Sequence, residues 1–274
     1  MSIHTEWVQF SEQEHDYKLY TSRPAHAKTP LPVVLVIQEI WGTDDHILEL
    51  TDRFAKAGYL AVTPDLYAVN GERPSVFAEN RIEQVKAFLD TVPPTVWSDP
   101  AARDAEMDKL PAGKREDVKA TFAELFGGLA RMPKHLETLK AAVHFLKDYE
   151  YSKGQKVASV GYCMGGALSA LLASAEPELA GAVIYYGNLP GKEQIETIQC
   201  PVTGFFGGWD KRITSQVPGF SQLMAEAGKS FTSEIYEGAH HAFFNDSRAS
   251  YHVEAARDAW VKTLSFFKKV LTEN

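Results

Sequence analysis

The stretch Lys156–Gly166, KVASVGYCMGG, decides the fold class. It opens with an apolar run typical of a buried strand, and small and apolar residues continue beyond it as in a buried helix. Glycines on both sides of Cys163 allow the chain to turn sharply between the two. The stretch therefore predicts a strand at Lys156–Val160, a tight turn, and a helix at Gly165–Ala175.

Strand and helix patterns alternate along most of the chain. Leu31–Ile37 (LPVVLVI) is a continuous β-branched run, as expected for a strand buried on both faces. The remaining predicted elements are a hairpin at Thr5–Phe10 and Asp16–Thr21, strands at Leu60–Pro64, Gly181–Tyr186, Val202–Phe206 and Thr232–Tyr236, and helices at Ile47–Ala57, Thr214–Ala227 and Tyr251–Leu271. This alternation predicts an α/β fold with an about eight-stranded, mostly parallel sheet and helices on both faces.

One segment, residues 68–133, interrupts the alternation. It shows no convincing strand pattern, is rich in charged residues, alanine and proline, and has helical stretches at Glu79–Asp90 and Lys114–Phe126. Because apolar residues are sparse in it, we expect it to lack a core of its own. We predict a helical insertion after the fourth strand, and a candidate cap over the site, within a single domain spanning residues 1–274.

Composition excludes several functional classes. A chain of 274 residues with 45% hydrophobic and 23% charged residues is typical of a globular protein with a substantial core. A net charge of −8 gives no electrostatic reason to expect nucleic acid as a partner. The N-terminal residues do not resemble a signal peptide, no apolar run is long enough for a membrane helix, and only two cysteines occur. We therefore expect a cytoplasmic protein without a membrane or nucleic-acid partner.

Cys163 is the candidate nucleophile. Gly-x-Cys-x-Gly between a strand and a helix is the pattern of a nucleophile elbow, with cysteine in the position of serine. The sulfur would lie at a helix N-terminus, which favours a thiolate, and the Met164 N–H would point to a forming oxyanion. The alternative is a structural cysteine packed beside a tight turn. Cys200, which has no such surroundings, is predicted to be inert.

A carboxylate and a histidine follow in the order that accompanies such an elbow: nucleophile, acid, histidine. Asp210 ends the segment VTGFFGGWD and is the candidate acid, although alone it would be interpreted as a helix N-cap or loop residue. The segment EIYEGAHH then brings His240 and His241 to the same predicted sheet edge. Because neighbouring residues in extended chain face opposite sides, only one of them is expected to reach the sulfur.

The loop QEIWG, Gln38–Gly42, adds a second carboxylate to this edge. In folds with this elbow, the loop supplies an oxyanion donor, which makes the Ile40 N–H a candidate. Glu39 could accept the thiol proton when a ligand reorganises the site, and the alternative is a salt bridge to an arginine. Trp41 is expected either to line the pocket or to cap the core.

Together these segments resemble the dienelactone hydrolase family of α/β-hydrolases. The matching motifs are QEIWG at Gln38–Gly42, TPDLYA at Thr63–Ala68, GYCMGG at Gly161–Gly166, GGWDKRI at Gly207–Ile213, HAFFND at His241–Asp246 and AARDAW at Ala255–Trp260. The resemblance implies that Cys163 is the nucleophile and that Asp210 and His241, rather than His240, are its partners. It also implies that Glu39 helps to activate the thiol and that the amides of Ile40 and Met164 form the oxyanion hole.

The sequence departs from this family in the residues expected to bind substrate. In the enzyme that names the family, an arginine four residues after the histidine binds the substrate carboxylate, and here that position is Asn245. A second substrate arginine follows the fourth strand, where Arg73 and Arg81 are candidate counterparts. An amide cannot make the bidentate charged contact of a guanidinium, which weakens the case for dienelactone itself. The candidate substrate contacts are Trp41, Arg81 and Asn245.

The sequence thus predicts a cysteine-dependent hydrolase of small esters or lactones that acts through an acyl-thioester. It is expected to use neither a metal nor an organic cofactor and to be a monomer or a homodimer. One alternative is a non-catalytic descendant of the fold that binds a ligand or a protein partner. A redox-sensing thiol protein is a weaker alternative, because no second cysteine lies near Cys163 in sequence.

Overall fold

The computed structural model describes residues 1–273, apart from the side chains at 94, 98, 128 and 129. In this part of the chain one sheet contains β1 (Ile3–Glu12), β2 (His15–Pro24), β3 (Val33–Ile37), β4 (Leu60–Pro64), β5 (Val157–Tyr162), β6 (Gly181–Tyr185), β7 (Val202–Gly207) and β8 (Phe231–Tyr236). The strand order is β1-β2-β4-β3-β5-β6-β7-β8. The β1–β2 and β2–β4 pairs are antiparallel and the others parallel, which confirms the predicted sheet.

The helices are α1 (Asp45–Lys56), α2 (Glu79–Thr91), α3 (Pro94–Ser98), α4 (Pro100–Met107), α5 (Ala112–Phe126), α6 (Met132–Asp148), α7 (Met164–Ala175), α8 (Lys192–Thr197), α9 (Lys211–Thr214), α10 (Val217–Glu226) and α11 (Val253–Phe267). The helix predicted at Thr214–Ala227 is present as α10, which begins at Val217 and has Pro218, a residue without an N–H, in its first turn. The short α9 before it was not predicted. Within the described residues, we find no helix with the length and apolarity that a bilayer span requires.

The sheet is covered on both faces because successive side chains of a strand point to opposite sides. In β3, Val33, Leu35 and Ile37 pack into a cluster with residues of α6, α7 and α10. Val34 and Val36 pack into a second cluster with residues of α1 and α11. The continuous apolar run in the sequence is therefore explained by burial of this central strand between two helical layers.

The insertion contains α2 to α5 and is helical, as predicted. The expectation that it lacks a core was wrong, since it holds a buried apolar cluster that includes Phe77, Ile82, Val85, Phe88, Met107 and Phe122. These residues are dispersed over several short helices, so no single stretch of sequence looks strongly apolar. Trp41 and Tyr67, from loops after β3 and β4, belong to the same cluster and join the insertion to the main body.

The parallel strands bring the functional candidates to one place. Strands β3, β5, β6, β7 and β8 run in the same direction, so their carboxyl ends share one edge of the sheet. Ligands of open parallel sheets bind beyond this edge. Glu39, Cys163, Asp210 and His241 all follow the ends of these strands.

Candidate active site

Cys163 lies in a strained turn between β5 and α7, with φ 55° and ψ −113°. A residue other than glycine seldom adopts this backbone conformation, so the surrounding structure must impose it. A Cβ on Gly161 would overlap the carbonyl oxygen of Gly165, and a Cβ on Gly165 would overlap that of Ile37. The Cys163 N–H also donates to the Tyr185 carbonyl at 3.0 Å. The two glycines are required as predicted, and the turn places the sulfur at the N-terminus of α7.

The structure brings the three predicted partners into one hydrogen-bonded line. Cys163 Sγ lies 3.2 Å from His241 Nε2, and His241 Nδ1 lies 2.6 Å from Asp210 Oδ2. Asp210 precedes α9, but its side chain makes no capping hydrogen bond there, so its carboxylate serves the imidazole instead. His240 is exposed and packs edge-on against Trp209. This placement agrees with the prediction that only one of the two histidines reaches the sulfur.

The hydrogen-bonded line of Cys163, His241 and Asp210 favours the charged form of the His241 imidazole. Burial of the His241 ring works against its charged form, but the Cys163 sulfur and the Asp210 carboxylate outweigh that cost and raise the pKa of His241 to about 10. An imidazolium with Nδ1–H directed at Asp210 and Nε2–H directed at Cys163 is the ion-pair partner that a thiolate needs. The arrangement therefore places a proton donor directly beside the sulfur nucleophile.

Ile40 and Met164 line the same small cavity as Cys163 and His241, and its volume is about 170 Å³. Neither amide donates a hydrogen bond to another described residue. Two unengaged N–H groups beside a sulfur nucleophile can stabilise negative charge that develops on a carbonyl oxygen.

Glu39 is buried behind this cavity, with 2% of its surface exposed. It accepts hydrogen bonds from Tyr186 Oη at 3.1 Å and from Asn245 Nδ2 at 2.8 Å. None of the described arginines or lysines pairs with it, so the salt bridge considered as an alternative does not form. Its two carboxyl oxygens are held by neutral donors.

Tyr186 is a site residue that the sequence analysis missed. Its ring lies 5.2 Å from that of His241 and lines the cavity, while its hydroxyl donates to Glu39. Its φ of +40° is unusual for a tyrosine, as is the positive φ of Cys163. A signal was present, because Tyr186 directly follows β6 at the same edge of the sheet as the other candidates.

The candidate substrate contacts lie elsewhere. Trp41 lines a separate cavity of about 380 Å³, together with Arg73, which is bound by Asp65. Arg81 is bound to α5 within the insertion. Asn245 is buried and holds Glu39. The structure therefore does not bring Trp41, Arg81 or Asn245 to the cavity around Cys163.

The insertion and α9 supply further walls of that cavity. Leu125, Phe126 and Met132 of the insertion contribute an apolar side. Arg212 adds a charged side chain to the lining of the cavity. Its Nη1 donates to Asn188 Oδ1 at 3.1 Å, and its guanidinium pairs with no described carboxylate. Arg212 was also missed, although its place two residues after Asp210 put it at the right edge of the sheet.

Comparison with known proteins agrees with this architecture. The model of the dienelactone hydrolase family matches residues 18–271. A protein of Saccharolobus solfataricus provisionally assigned as a carboxymethylenebutenolidase is 36% identical over 250 residues, 90% of this chain and 92% of that protein. One from Escherichia coli K12 with the same provisional assignment is 30% identical over 261 residues, 91% of this chain and 81% of that protein.

The fold comparison leads to the same family. The crystal structure of a provisionally assigned dienelactone hydrolase from Klebsiella pneumoniae has a TM-score of 0.71 and 26% identity, and the match covers 98% of this chain and 100% of that one. The chain therefore belongs to the dienelactone hydrolase family and is a hydrolase of esters or lactones.

Proposed function

We propose that this protein hydrolyses small esters or lactones with Cys163 as nucleophile, through an acyl-thioester intermediate. The observation that carries this proposal is the line from Cys163 Sγ through His241 to Asp210, beside a cavity lined by Ile40 and Met164. A purely structural cysteine would need neither the strained turn nor the charged imidazole.

In the first half of the reaction, the Cys163 thiolate attacks the substrate carbonyl carbon, and the amides of Ile40 and Met164 stabilise the oxyanion. The carbonyl re-forms as the bond to the leaving alkoxide breaks. His241 Nε2 donates its proton to that alkoxide, and the acyl group remains on the sulfur as a thioester.

In the second half, the neutral His241 accepts a proton from water, and the resulting hydroxide attacks the thioester carbonyl. The new tetrahedral intermediate expels the thiolate and releases the carboxylic acid. His241 then carries the proton again, so the thiolate–imidazolium pair is restored.

The chemistry of sulfur limits the substrate class. A thiolate is a good leaving group, so a tetrahedral intermediate formed from an amide would expel the thiolate before the amine. Esters with stable leaving groups and enol lactones do not have this problem. The cavity of about 170 Å³ also favours a small acyl group.

We assign Glu39 the role of a second acceptor for the Cys163 proton. A buried carboxylate held by neutral donors can accept a proton without breaking an ion pair. Tyr186 links Glu39 to the cavity, so a ligand that moves this hydroxyl would change the hydrogen bonding of the carboxylate.

The test is to trap the intermediate. The protein is mixed with p-nitrophenyl acetate, quenched in acid and digested, and the peptides are analysed by mass spectrometry. We expect a burst of nitrophenolate and an acetyl group on the peptide that contains Cys163. Turnover with the acyl group on another residue would contradict the mechanism, and no turnover together with slow alkylation of Cys163 would favour the non-catalytic alternative.

Arg212 lines the cavity and is exposed, so it is expected to favour substrates with a negative charge on the part of the molecule that lies beside it. For Arg212→Gln, kcat/KM should fall about 5- to 20-fold for a carboxylate-bearing ester and less than about twofold for a neutral ester of the same size, because a partly solvated charge-assisted hydrogen bond is lost. Steady-state kinetics on matched ester pairs measures this difference.

Lys211→Gln is the matched control for this experiment. Lys211 is the preceding residue, is exposed and does not line the cavity, but its loss changes the net charge equally. We expect it to leave the ratio of the two kcat/KM values unchanged. If Arg212→Gln lowered kcat/KM equally for both esters, the guanidinium would not distinguish charged from neutral substrates.

A further inference from the structure

The loop that carries His241 is attached to α1 by a charged cluster away from the cavity. Arg53 Nη2 donates to Asp246 Oδ2 at 2.6 Å, and His46 Nδ1 lies 3.3 Å from Asp246 Oδ1. The His46 side chain is 2% exposed, whereas those of Arg53 and Asp246 are 32% and 31% exposed. Both carboxylate oxygens of Asp246 are thus held by one helix.

The electrostatics of the cluster favour this attachment. Partial burial opposes the charged form of Asp246, but Arg53 and His46 outweigh it, and the pKa of Asp246 is lowered below its usual value. Asp246 is therefore ionised at neutral pH and keeps its partners.

The residue before Asp246 faces the opposite way, towards Glu39. Asn245 Oδ1 accepts hydrogen bonds from the Ser247 N–H at 3.1 Å and from Ser247 Oγ at 2.6 Å. These two donors require the oxygen on their side, so the amide nitrogen must point to Glu39 Oε2, 2.8 Å away. The orientation of one buried amide is thereby fixed by the backbone position of its own loop.

We infer that Asp246 is a positioning residue for Glu39: clamped by Arg53 and His46, it fixes the loop so that Asn245 holds the Glu39 carboxylate in place. This inference rests on the proposed function, in which Glu39 accepts the Cys163 proton. Asp246 touches neither the substrate cavity nor Cys163, and it acts through Asn245. Catalysis is sensitive to such support, because a displacement of about 1 Å can cost about 100-fold in rate.

The test compares Asp246→Ala in two backgrounds. In the otherwise unchanged protein we expect kcat for a nitrophenyl ester to fall about 10- to 100-fold. In a Glu39→Gln background the same substitution should cost less than about twofold, because there is no catalytic carboxylate left to position. A purely structural role for Asp246 would give the same loss in both backgrounds and would overturn the inference.

Two further variants test the inference independently of whether Asp246→Ala folds. Arg53→Gln leaves the aspartate but removes its charged partner, and it should reproduce the loss in the same Glu39-dependent manner even if Asp246→Ala does not fold. Glu49→Gln is the control, since Glu49 also binds Arg53 but forms no hydrogen bond or ion pair with Asp246 or Asn245 among the described residues, and it should retain full kcat. A wild-type kcat in Arg53→Gln would contradict the inference that Arg53 fixes the loop through Asp246.

A crystal structure of Asp246→Ala separates this inference from the proposed function. We expect the distance from Asn245 Nδ2 to Glu39 Oε2 to exceed the hydrogen-bonding limit of about 3.5 Å, and an unchanged contact would overturn the positioning role. If Cys163→Ala kept the kcat/KM of the wild type, the proposed function would fail, but this distance would still decide whether Asp246 positions Glu39.

Discussion

Replacing Cys163 with alanine is expected to lower kcat/KM for nitrophenyl esters by at least about 10⁴-fold. The substitution removes the atom that forms the covalent bond, and neither Asp210 nor His241 can replace it as a nucleophile with the same access to the two amides. Residual turnover would come from water activated by His241 beside the oxyanion site. Steady-state kinetics on the purified variant, with its thermal unfolding recorded in parallel, measures the loss.

Cys200→Ala is the matched control for this prediction. Cys200 is the second cysteine of the chain and is buried, and burial raises the pKa of its thiol to about 11, so it stays protonated and unreactive. We expect this variant to retain wild-type kcat/KM and rapid alkylation by iodoacetamide, while Cys163→Ala loses both. A kcat/KM in Cys163→Ala close to that of the wild type would show that another residue is the nucleophile.

The fold class was predictable because its strongest signals are local. A central strand buried on both faces must be apolar throughout, which makes Val33–Ile37 recognisable without any knowledge of its neighbours. The sharp turn at Cys163 needs glycines at fixed positions, so it also leaves a local signature. The helical insertion was harder, because its core is assembled from residues on several short helices and from Trp41 and Tyr67 of the main body.

The difference between local signals and contacts that are distant in sequence also explains which site residues were predicted. Cys163, Asp210 and His241 follow strand ends in a fixed chain order, and the parallel sheet alone brings them to one edge. The direction of a long side chain depends on partners far away in sequence. Arg81 turns to α5, and Asn245 turns to Glu39, so neither could be placed from position alone.

Tyr186 and Arg212 show what a stricter use of topology would have found. Each follows the carboxyl end of a parallel strand, directly after β6 and shortly after β7. Arg212 lies in the motif GGWDKRI, but the role assigned to that motif belongs to Asp210, and Tyr186 lies in none of the quoted motifs. The motifs therefore predict no role for either residue. A search of every residue just beyond a parallel strand would have included both, together with several residues that have no part in the site.

Substituting Asp210 with asparagine is expected to lower kcat by about 10³- to 10⁴-fold while leaving the fold intact. The carboxylate accepts the Nδ1 proton of His241 at 2.6 Å and supports its positive charge. An asparagine can donate its own N–H to Nδ1, which places the ring proton on Nε2 in the neutral imidazole. That tautomer cannot accept the Cys163 proton, and the thiolate loses its charged partner.

The pH profile tests this explanation separately from the size of the loss. His241 acts as a proton donor, so activity towards esters with poorly stabilised leaving groups should fall as pH rises through the pKa of His241, which is about 10. Removing the negative charge of Asp210 lowers this pKa, so the alkaline fall in Asp210→Asn should begin at a lower pH. Glu237→Gln, a change at an exposed acid near the same loop, should leave the profile unchanged. If Asp210→Asn kept the wild-type alkaline limb and lost less than about tenfold in kcat, Asp210 would not be the acid that supports His241.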